Sequence, residues 1–115
     1  MRVAINGFGR IGRAVFRLLN SKEGVEVVAV NDIADPGALA YLLRHDTVMG
    51  PFQGIATVEG DVMTTGHQTV KMIAVSDPRE LPWREMVIDY VIEATGRFRR
   101  RSEIASHLEA GARKV

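Results

Sequence analysis

The chain has 115 residues, of which 46% are hydrophobic and 25% are charged, and its formal net charge is +1. These proportions are typical of one globular domain with its own core and argue against disorder. A charge so near zero indicates neither a nucleic-acid-binding protein nor a membrane-surface protein. The sequence has no cysteine, which excludes disulfides, thiolate metal sites and a cysteine nucleophile within this chain. This composition and the lack of an N-terminal apolar signal segment favour a cytoplasmic protein.

Predicted strands and helices alternate along the chain, which indicates an α/β fold with a mostly parallel sheet. Residues 3–5 and 25–30 are predicted as buried strands, and helical periodicity runs from residue 10 to residue 20. We expect this first helix to bury four apolar residues and to expose three arginines. The buried residues would be Ile11, Ala14, Val15 and Leu18, and the exposed ones Arg10, Arg13 and Arg17.

The second half of the pattern begins with a helix capped by Asp35, with Pro36 in its first position. Residues 56–75 hold three β-rich runs separated by glycine-containing turns, which predicts an antiparallel hairpin insertion. A short helical turn at 81–85, with Trp83 partly buried, and a strand at 90–92 follow. A helix from Ser102 to Gly111 comes next. Because a further strand would begin at residue 114, we expect the sequence to be truncated there.

Three glycines, Gly7, Gly9 and Gly12, form the pattern G-x-G-x-x-G between the first strand and the first helix. In that setting the pattern is typical of dinucleotide binding. Gly7 would permit the tight turn, Gly9 would let the pyrophosphate approach the backbone, and Gly12 would let the helix pack closely on the strand. The amides of the first helical turn would face the phosphates.

Asp32 lies 20 positions beyond Gly12, at the end of the second predicted strand. Its carboxylate would accept hydrogen bonds from the ribose hydroxyls and would repel a 2′-phosphate. The pattern therefore predicts a Rossmann-type domain that prefers NAD to NADP. FAD proteins use a similar fingerprint, so the pattern alone leaves FAD open. No Gly-Lys-Ser/Thr follows, which excludes a P-loop.

The sequence around this motif resembles the N-terminal part of the phosphorylating glyceraldehyde-3-phosphate dehydrogenases and of the related erythrose-4-phosphate dehydrogenases. Residues 4–13 carry the most specific match. Shorter matches follow in the same order at 30–32, 42–47, 77–78, 93–96 and 110–115. The resemblance covers the whole chain, so we expect residues 1–115 to be the NAD-binding domain of a glycolytic, homotetrameric oxidoreductase. That enzyme would convert glyceraldehyde-3-phosphate, NAD and phosphate to 1,3-bisphosphoglycerate and NADH; erythrose-4-phosphate is the alternative substrate.

Together, the fingerprint and the resemblance give a set of candidate cofactor-binding residues. They are Asn6, Gly7, Phe8, Gly9, Arg10, Ile11, Gly12, Asn31, Asp32, Ser76, Thr95, Gly96 and Phe98. The family often has a basic residue where Ser76 stands, so we expect a looser contact with the adenine. The family's catalytic cysteine and its histidine lie in a second domain, beyond residue 115. Without a thiol we expect no catalytic residue in this chain, and no activity from it alone.

Two other features have plainer interpretations. His45, His67 and His107 show no metal-ligand spacing, so we expect surface or capping residues and no metal site. Arginines at 97 and 99–101 surround Phe98, and such a cluster could bind RNA or another anion. We favour a solvated loop beside the cofactor cleft, because the rest of the chain has no basic bias. A stand-alone nucleotide-binding or RNA-binding module without catalysis is the non-enzymatic alternative.

Overall fold

The computed structural model describes residues 1–46, 50–51, 56–96 and 105–115 of the chain. The strands are β1 (Arg2–Asn6), β2 (Glu26–Asn31), β3 (His45–Asp46), β4 (Gly50–Pro51), β5 (Ala56–Glu59), β6 (Val62–Thr65), β7 (Thr69–Ile73) and β8 (Tyr90–Glu93). The helices of the described residues are α1 (Arg10–Leu19), α2 (Pro36–Arg44) and α3 (Ser106–Glu109), with a 3₁₀ turn at Pro78–Glu80.

Six of the strands form one sheet in the order β5-β6-β7-β2-β1-β8. Strands β7, β2, β1 and β8 run parallel, whereas β5, β6 and β7 pair antiparallel. The predicted Rossmann-type fold, a mostly parallel sheet with an antiparallel hairpin insertion, is therefore confirmed. Lys114 forms an isolated parallel bridge with Tyr90, so the chain runs beside β8 at the position where the sequence predicts a further strand. β3 and β4 form a separate two-stranded ladder.

The core lies on both faces of the sheet, because successive strand residues point to opposite sides. Ile5 of β1 packs with Phe8 and Phe16 in the cluster that α1 and α2 cover. Its neighbour Ala4 packs in the other cluster, which contains Trp83. Covered on both faces, β1 and β2 are apolar almost throughout, as central parallel strands are. No helix in the described part of the chain is long and apolar enough to cross a bilayer.

Helix α2 begins as the sequence predicts. The Asp35 carboxylate accepts a hydrogen bond from the Ala38 amide at 3.1 Å, and Pro36 occupies the first helical turn. This bond satisfies one of the amides that have no acceptor within the helix. The local sequence alone was sufficient to locate this helix start.

The predicted buried face of α1 is wrong. Ile11 and Leu18 are 69% and 74% exposed, whereas Phe16 is fully buried and packs edge-to-face on Phe8. Arg13, predicted to be exposed, is buried and donates a hydrogen bond to the Phe8 carbonyl at 3.0 Å. The glycine turn fixes this rotation, because only Gly12 fits against it and Phe16 lies one turn further along the same face. Val15 does pack against the core, as expected.

The segment after β7 also differs from expectation. Residues 83–87 form hydrogen-bonded turns rather than a helix, and the 3₁₀ turn lies earlier, at Pro78–Glu80. Trp83 is fully buried, not partly buried. Gly111 follows α3 with a φ of +114°, and a Cβ there would lie 2.4 Å from the Arg84 Cβ, so its role as the helix stop is confirmed. The predicted cap, Ser102, lies outside the described residues.

Candidate functional site

A cleft of about 210 Å³ lies at the carboxyl ends of β1, β2 and β8. In doubly wound sheets ligands bind at this edge, where neighbouring strands lead away in different directions. Three stretches of chain following these strands, and one following β7, supply its walls. The lining residues are Asn6, Gly7, Gly9, Asn31, Asp32, Ile33, Val75, Ser76, Ala94 and Thr95.

The three fingerprint glycines meet three different demands. Gly7 has a φ of +96°, and a Cβ there would lie 2.7 Å from the Thr95 amide nitrogen, so the turn after β1 needs glycine. A Cβ on Gly12 would lie 2.0 Å from the Gly7 carbonyl oxygen. At Gly9, by contrast, a Cβ would have no neighbour within 4 Å. Gly7 and Gly12 therefore maintain the turn, and Gly9 leaves open space at the cleft.

Asp32 is oriented by the glycine turn itself. Its Oδ2 accepts a hydrogen bond from the Phe8 amide at 2.8 Å, and its Oδ1 accepts one from the Ala34 amide at 2.9 Å. A carboxylate has about four acceptor positions. These two amides occupy two of them, so in the described residues Asp32 retains acceptor capacity at the cleft.

Two buried asparagines connect the strand ends beneath the cleft. Asn31 exchanges two hydrogen bonds with the backbone of Val75: its Nδ2 donates to the carbonyl, and its Oδ1 accepts from the amide, both at 2.8 Å. The same Nδ2 donates to Asn6 Oδ1 at 2.7 Å. These bonds fix the orientation of both side-chain amides, so that Asn6 directs its own Nδ2 towards β8.

Glu93, the last residue of β8, receives that donor. Its Oε2 accepts from Asn6 Nδ2 at 2.8 Å, and its Oε1 accepts from the Thr95 amide at 3.1 Å and the Thr95 hydroxyl at 2.7 Å. Its Oε2 also lies 2.5 Å from His107 Nε2, and the Glu93 side chain is only 9% exposed. Burial alone would raise the pKa of Glu93, but the hydrogen bonds from His107, Asn6 and Thr95 outweigh it and lower the pKa below 4.5.

Replacing Glu93 with glutamine is expected to destabilise the chain at pH 7 by about 1–3 kcal/mol, because the donors that now bind a carboxylate would lose their charged acceptor. A carboxylate with a lowered pKa stabilises the fold above its ordinary pKa, and this contribution is lost as the pH falls through the folded-state pKa. The difference in unfolding free energy between wild type and Glu93→Gln should therefore shrink below pH 4.5. Urea unfolding at several pH values measures it, with the exposed Glu59→Gln as control; a pH-independent difference would contradict the expectation.

The structure brings most of the predicted residues to the cleft. Asn6, Gly7, Gly9, Asn31, Asp32, Ser76 and Thr95 line it. Arg10 and Ile11 are exposed on the first turn of α1, and Gly96, with a φ of +72°, follows Thr95. The Phe8 side chain is fully buried in the core, so only its backbone meets the site, through Asp32. Phe98 and the arginine cluster at 97–101 lie outside the described residues.

Some residues of the site were not predicted. Ile33, Val75 and Ala94 line the cleft, and each is the chain neighbour of a predicted residue, which was the available clue. The prediction that His107 is a surface or capping residue is wrong, because it is fully buried. It lies between Glu93 and Trp83, which requires contacts that local sequence does not reveal. His45 and His67 are exposed, as expected.

Comparison with known proteins shows which family this sequence resembles. The family described as "Glyceraldehyde 3-phosphate dehydrogenase, NAD binding domain" matches residues 1–101. Proteins named glyceraldehyde-3-phosphate dehydrogenase from Geobacillus stearothermophilus and Thermotoga maritima are each 46% identical, over 100% and 99% of this chain. Glyceraldehyde-3-phosphate dehydrogenase 1 of Bacillus subtilis is 45% identical over the whole chain. The chain spans 34–35% of these relatives' lengths. It belongs to the glyceraldehyde-3-phosphate dehydrogenase family, whose NAD binding domain it matches.

Proposed function

We propose that the cleft at the ends of β1, β2 and β8 holds NAD. The observation that carries this proposal is the placement of Asp32, whose carboxylate the Phe8 amide holds beside the glycine turn. In this arrangement Asp32 accepts from the adenosine ribose hydroxyls, and the first-turn amides of α1 receive the pyrophosphate. We place the adenine beside Ser76, whereas Asn6 and Thr95 line the wall formed by β1 and β8.

The residues present fit such a cofactor. The open space at Gly9 admits a phosphate close to the backbone, which a side chain would prevent. Arg10 is exposed at the start of α1, where its charge favours an anion. Ile33, 68% exposed, and Val75 offer apolar surface next to Ser76 for a flat base. Phe98 and Gly96 stay predictions as further contacts.

We further propose that the chain is the cofactor domain of an enzyme that oxidises a phosphorylated aldehyde to an acyl phosphate. NAD supplies the hydride acceptor for that chemistry when it is bound. This chain contributes binding and orientation, since it contains no cysteine to act as the nucleophile. A second domain beyond residue 115 would provide the catalytic residues, and the chain alone would be inactive. The relatives' names favour glyceraldehyde-3-phosphate over erythrose-4-phosphate as the substrate.

Assembly and location belong to the same proposal. Ile11, Leu18, Tyr41 and Leu42 expose between 44% and 74% of their surface. Exposed apolar side chains of this size are common at protein interfaces, and they support burial of this domain against the second domain or a neighbouring subunit of a homotetramer. The cytoplasmic location expected from composition stays a prediction.

Calorimetric titration of the 115-residue chain with NAD, and in parallel with NADP, tests the cofactor proposal. We expect saturable one-to-one binding of NAD, and much weaker binding of NADP because its 2′-phosphate would approach the Asp32 carboxylate. Equal affinity for the two cofactors would contradict the role of Asp32. Absence of binding by a folded chain would contradict the cleft as a self-sufficient site.

Replacing Asp32 with asparagine is expected to weaken NAD binding roughly tenfold, since a charged acceptor of ribose hydroxyl hydrogen bonds is lost. The same change removes the repulsion of a 2′-phosphate, so NADP should gain affinity relative to NAD. The ratio of the NADP to the NAD dissociation constant should therefore fall by a larger factor than the NAD affinity does. Asp35→Asn is the matched control, because it makes the same change in charge at a helix cap that does not line the cleft. An unchanged NAD to NADP ratio in Asp32→Asn would contradict the prediction.

A further inference from the structure

A continuous chain of hydrogen-bonding side chains leads from the second core cluster to the wall of the cleft. Trp83 Nε1 donates to His107 Nδ1 at 3.0 Å, and His107 Nε2 lies 2.5 Å from Glu93 Oε2. Trp83 and His107 are both fully buried. Glu93 in turn binds Asn6 and Thr95, which line the cleft. Two residues that do not line the cleft are thus connected to two that do.

The chemistry of these groups fixes where the protons lie. An indole N–H donates only, so His107 Nδ1 must be the acceptor of the Trp83 bond and carries no proton. The ring proton therefore lies on Nε2 and is donated to Glu93. Asn6 Nδ2 approaches Nε2 at 3.4 Å, but both are donors, and both are directed at the same carboxylate oxygen. His107 is held as the neutral Nε2–H tautomer.

A second series of hydrogen bonds, which starts at the Val75 backbone, also ends at Glu93. The Val75 backbone orients Asn31, Asn31 orients Asn6, and Asn6 presents its Nδ2 to Glu93. With donors from Asn6, His107 and Thr95 converging on it, Glu93 is an acceptor on both oxygens and is ionised. Glu93 therefore holds the Thr95 hydroxyl at the cleft wall, and together with Asn31 it holds the Asn6 amide there.

We infer that His107 is a positioning residue for the dinucleotide cleft, and that it acts through Glu93 on Asn6 and Thr95. The inference rests on the proposed function, because the ligand that it serves is NAD. Trp83 sets the tautomer, and His107 delivers the N–H that keeps the Glu93 carboxylate turned towards the cleft-wall residues. Without that N–H, a carboxylate that is only 9% exposed loses one of its donors and can turn away from Asn6 and Thr95.

Two substitutions test the roles of the two imidazole nitrogens separately. In His107→Gln the side-chain amide reaches towards Glu93 and keeps an N–H donor there. In His107→Asn the shorter amide keeps an acceptor for Trp83 and gives up the donor to Glu93. Each variant loses one of two buried hydrogen bonds, so we expect similar decreases in melting temperature. NAD affinity should fall roughly tenfold in His107→Asn and stay within about twofold of wild type in His107→Gln.

Calorimetric titration with NAD and thermal unfolding of the wild-type chain and both variants test the inference. Equal NAD affinity in the two variants, whether retained or lost in step with stability, would overturn it and leave His107 with a structural role only. ¹⁵N NMR of the imidazole gives an independent readout: a proton on Nε2 supports the inference, and a proton on Nδ1 overturns it.

If the wild-type chain does not bind NAD, that result counts against the proposed function. NMR of the unliganded chain then tests the positioning role without the cofactor. If His107→Asn shifts the Thr95 backbone amide and the Asn6 side-chain amide while His107→Gln does not, the positioning role stands. If neither variant moves these two signals, the positioning role is excluded.

Discussion

Replacing Gly9 with valine is expected to weaken NAD binding roughly 100-fold while leaving the chain folded. Gly9 lines the cleft, and a Cβ at this position would meet no protein atom within 4 Å, so the side chain would extend into the space where we place the pyrophosphate. Loss of two charge-assisted amide hydrogen bonds to phosphate corresponds to about 3 kcal/mol, or roughly a 100-fold loss of affinity. Calorimetric titration with NAD measures this loss.

The fold itself should tolerate the substitution. The Gly9 backbone is extended, with φ −76° and ψ −157°, and makes no side-chain cap bond. Since β-branched residues are poor helix N-caps, we expect a stability loss of about 1 kcal/mol. Gly66→Val is the matched control, because its Cβ also meets nothing within 4 Å and it does not line the cleft. Unchanged NAD affinity in a folded Gly9→Val variant would refute the placement of the pyrophosphate.

Replacing Gly12 with alanine is expected to have the opposite consequence, a failure of folding rather than of binding. The added Cβ would lie 2.0 Å from the Gly7 carbonyl oxygen, which is backbone and cannot rotate away. Relief would require α1 to move off the sheet, which would separate Phe16 from Phe8 in the core. We expect a destabilisation of about 3 kcal/mol or more, and a melting temperature lower by roughly 10 °C or more.

Thermal unfolding followed by circular dichroism checks this expectation, and Gly9→Ala is its control. The two substitutions add the same methyl group three residues apart in one motif, yet only Gly12 has backbone within contact distance. If the two variants melt at the same temperature, close packing of α1 is not what Gly12 provides.

The sequence was sufficient where structure depends on neighbours in the chain. The glycine spacing predicted the turn, Asp35 predicted the start of α2, and the glycines at 60 and 66 predicted the hairpin region. Seven of the predicted cofactor-binding residues line one cleft. The turn and cap predictions needed only a short window of sequence, because turns and caps are determined by local backbone preferences.

The sequence was insufficient where residues distant in the chain decide the outcome. The rotation of α1 depends on contacts of Gly12 with Gly7 and of Phe16 with Phe8, and apolar periodicity alone selected Ile11 and Leu18 instead. His107 contacts Asn6 across 101 positions of sequence, so its burial and its bonds to Trp83 and Glu93 had no local indication. The residue type alone does not show whether a histidine is buried or exposed.

The paired bonds between Asn31 and the Val75 backbone have a consequence for the shape of the cleft. The regular ladder between β2 and β7 ends at the pair Asn31 and Ile73. There the asparagine amide offers the Val75 peptide one donor and one acceptor, as a neighbouring strand would. The reach of one side chain therefore connects β2 to the chain after β7 at the cleft, and we expect a shorter or longer residue at position 31 to change the width of the cleft.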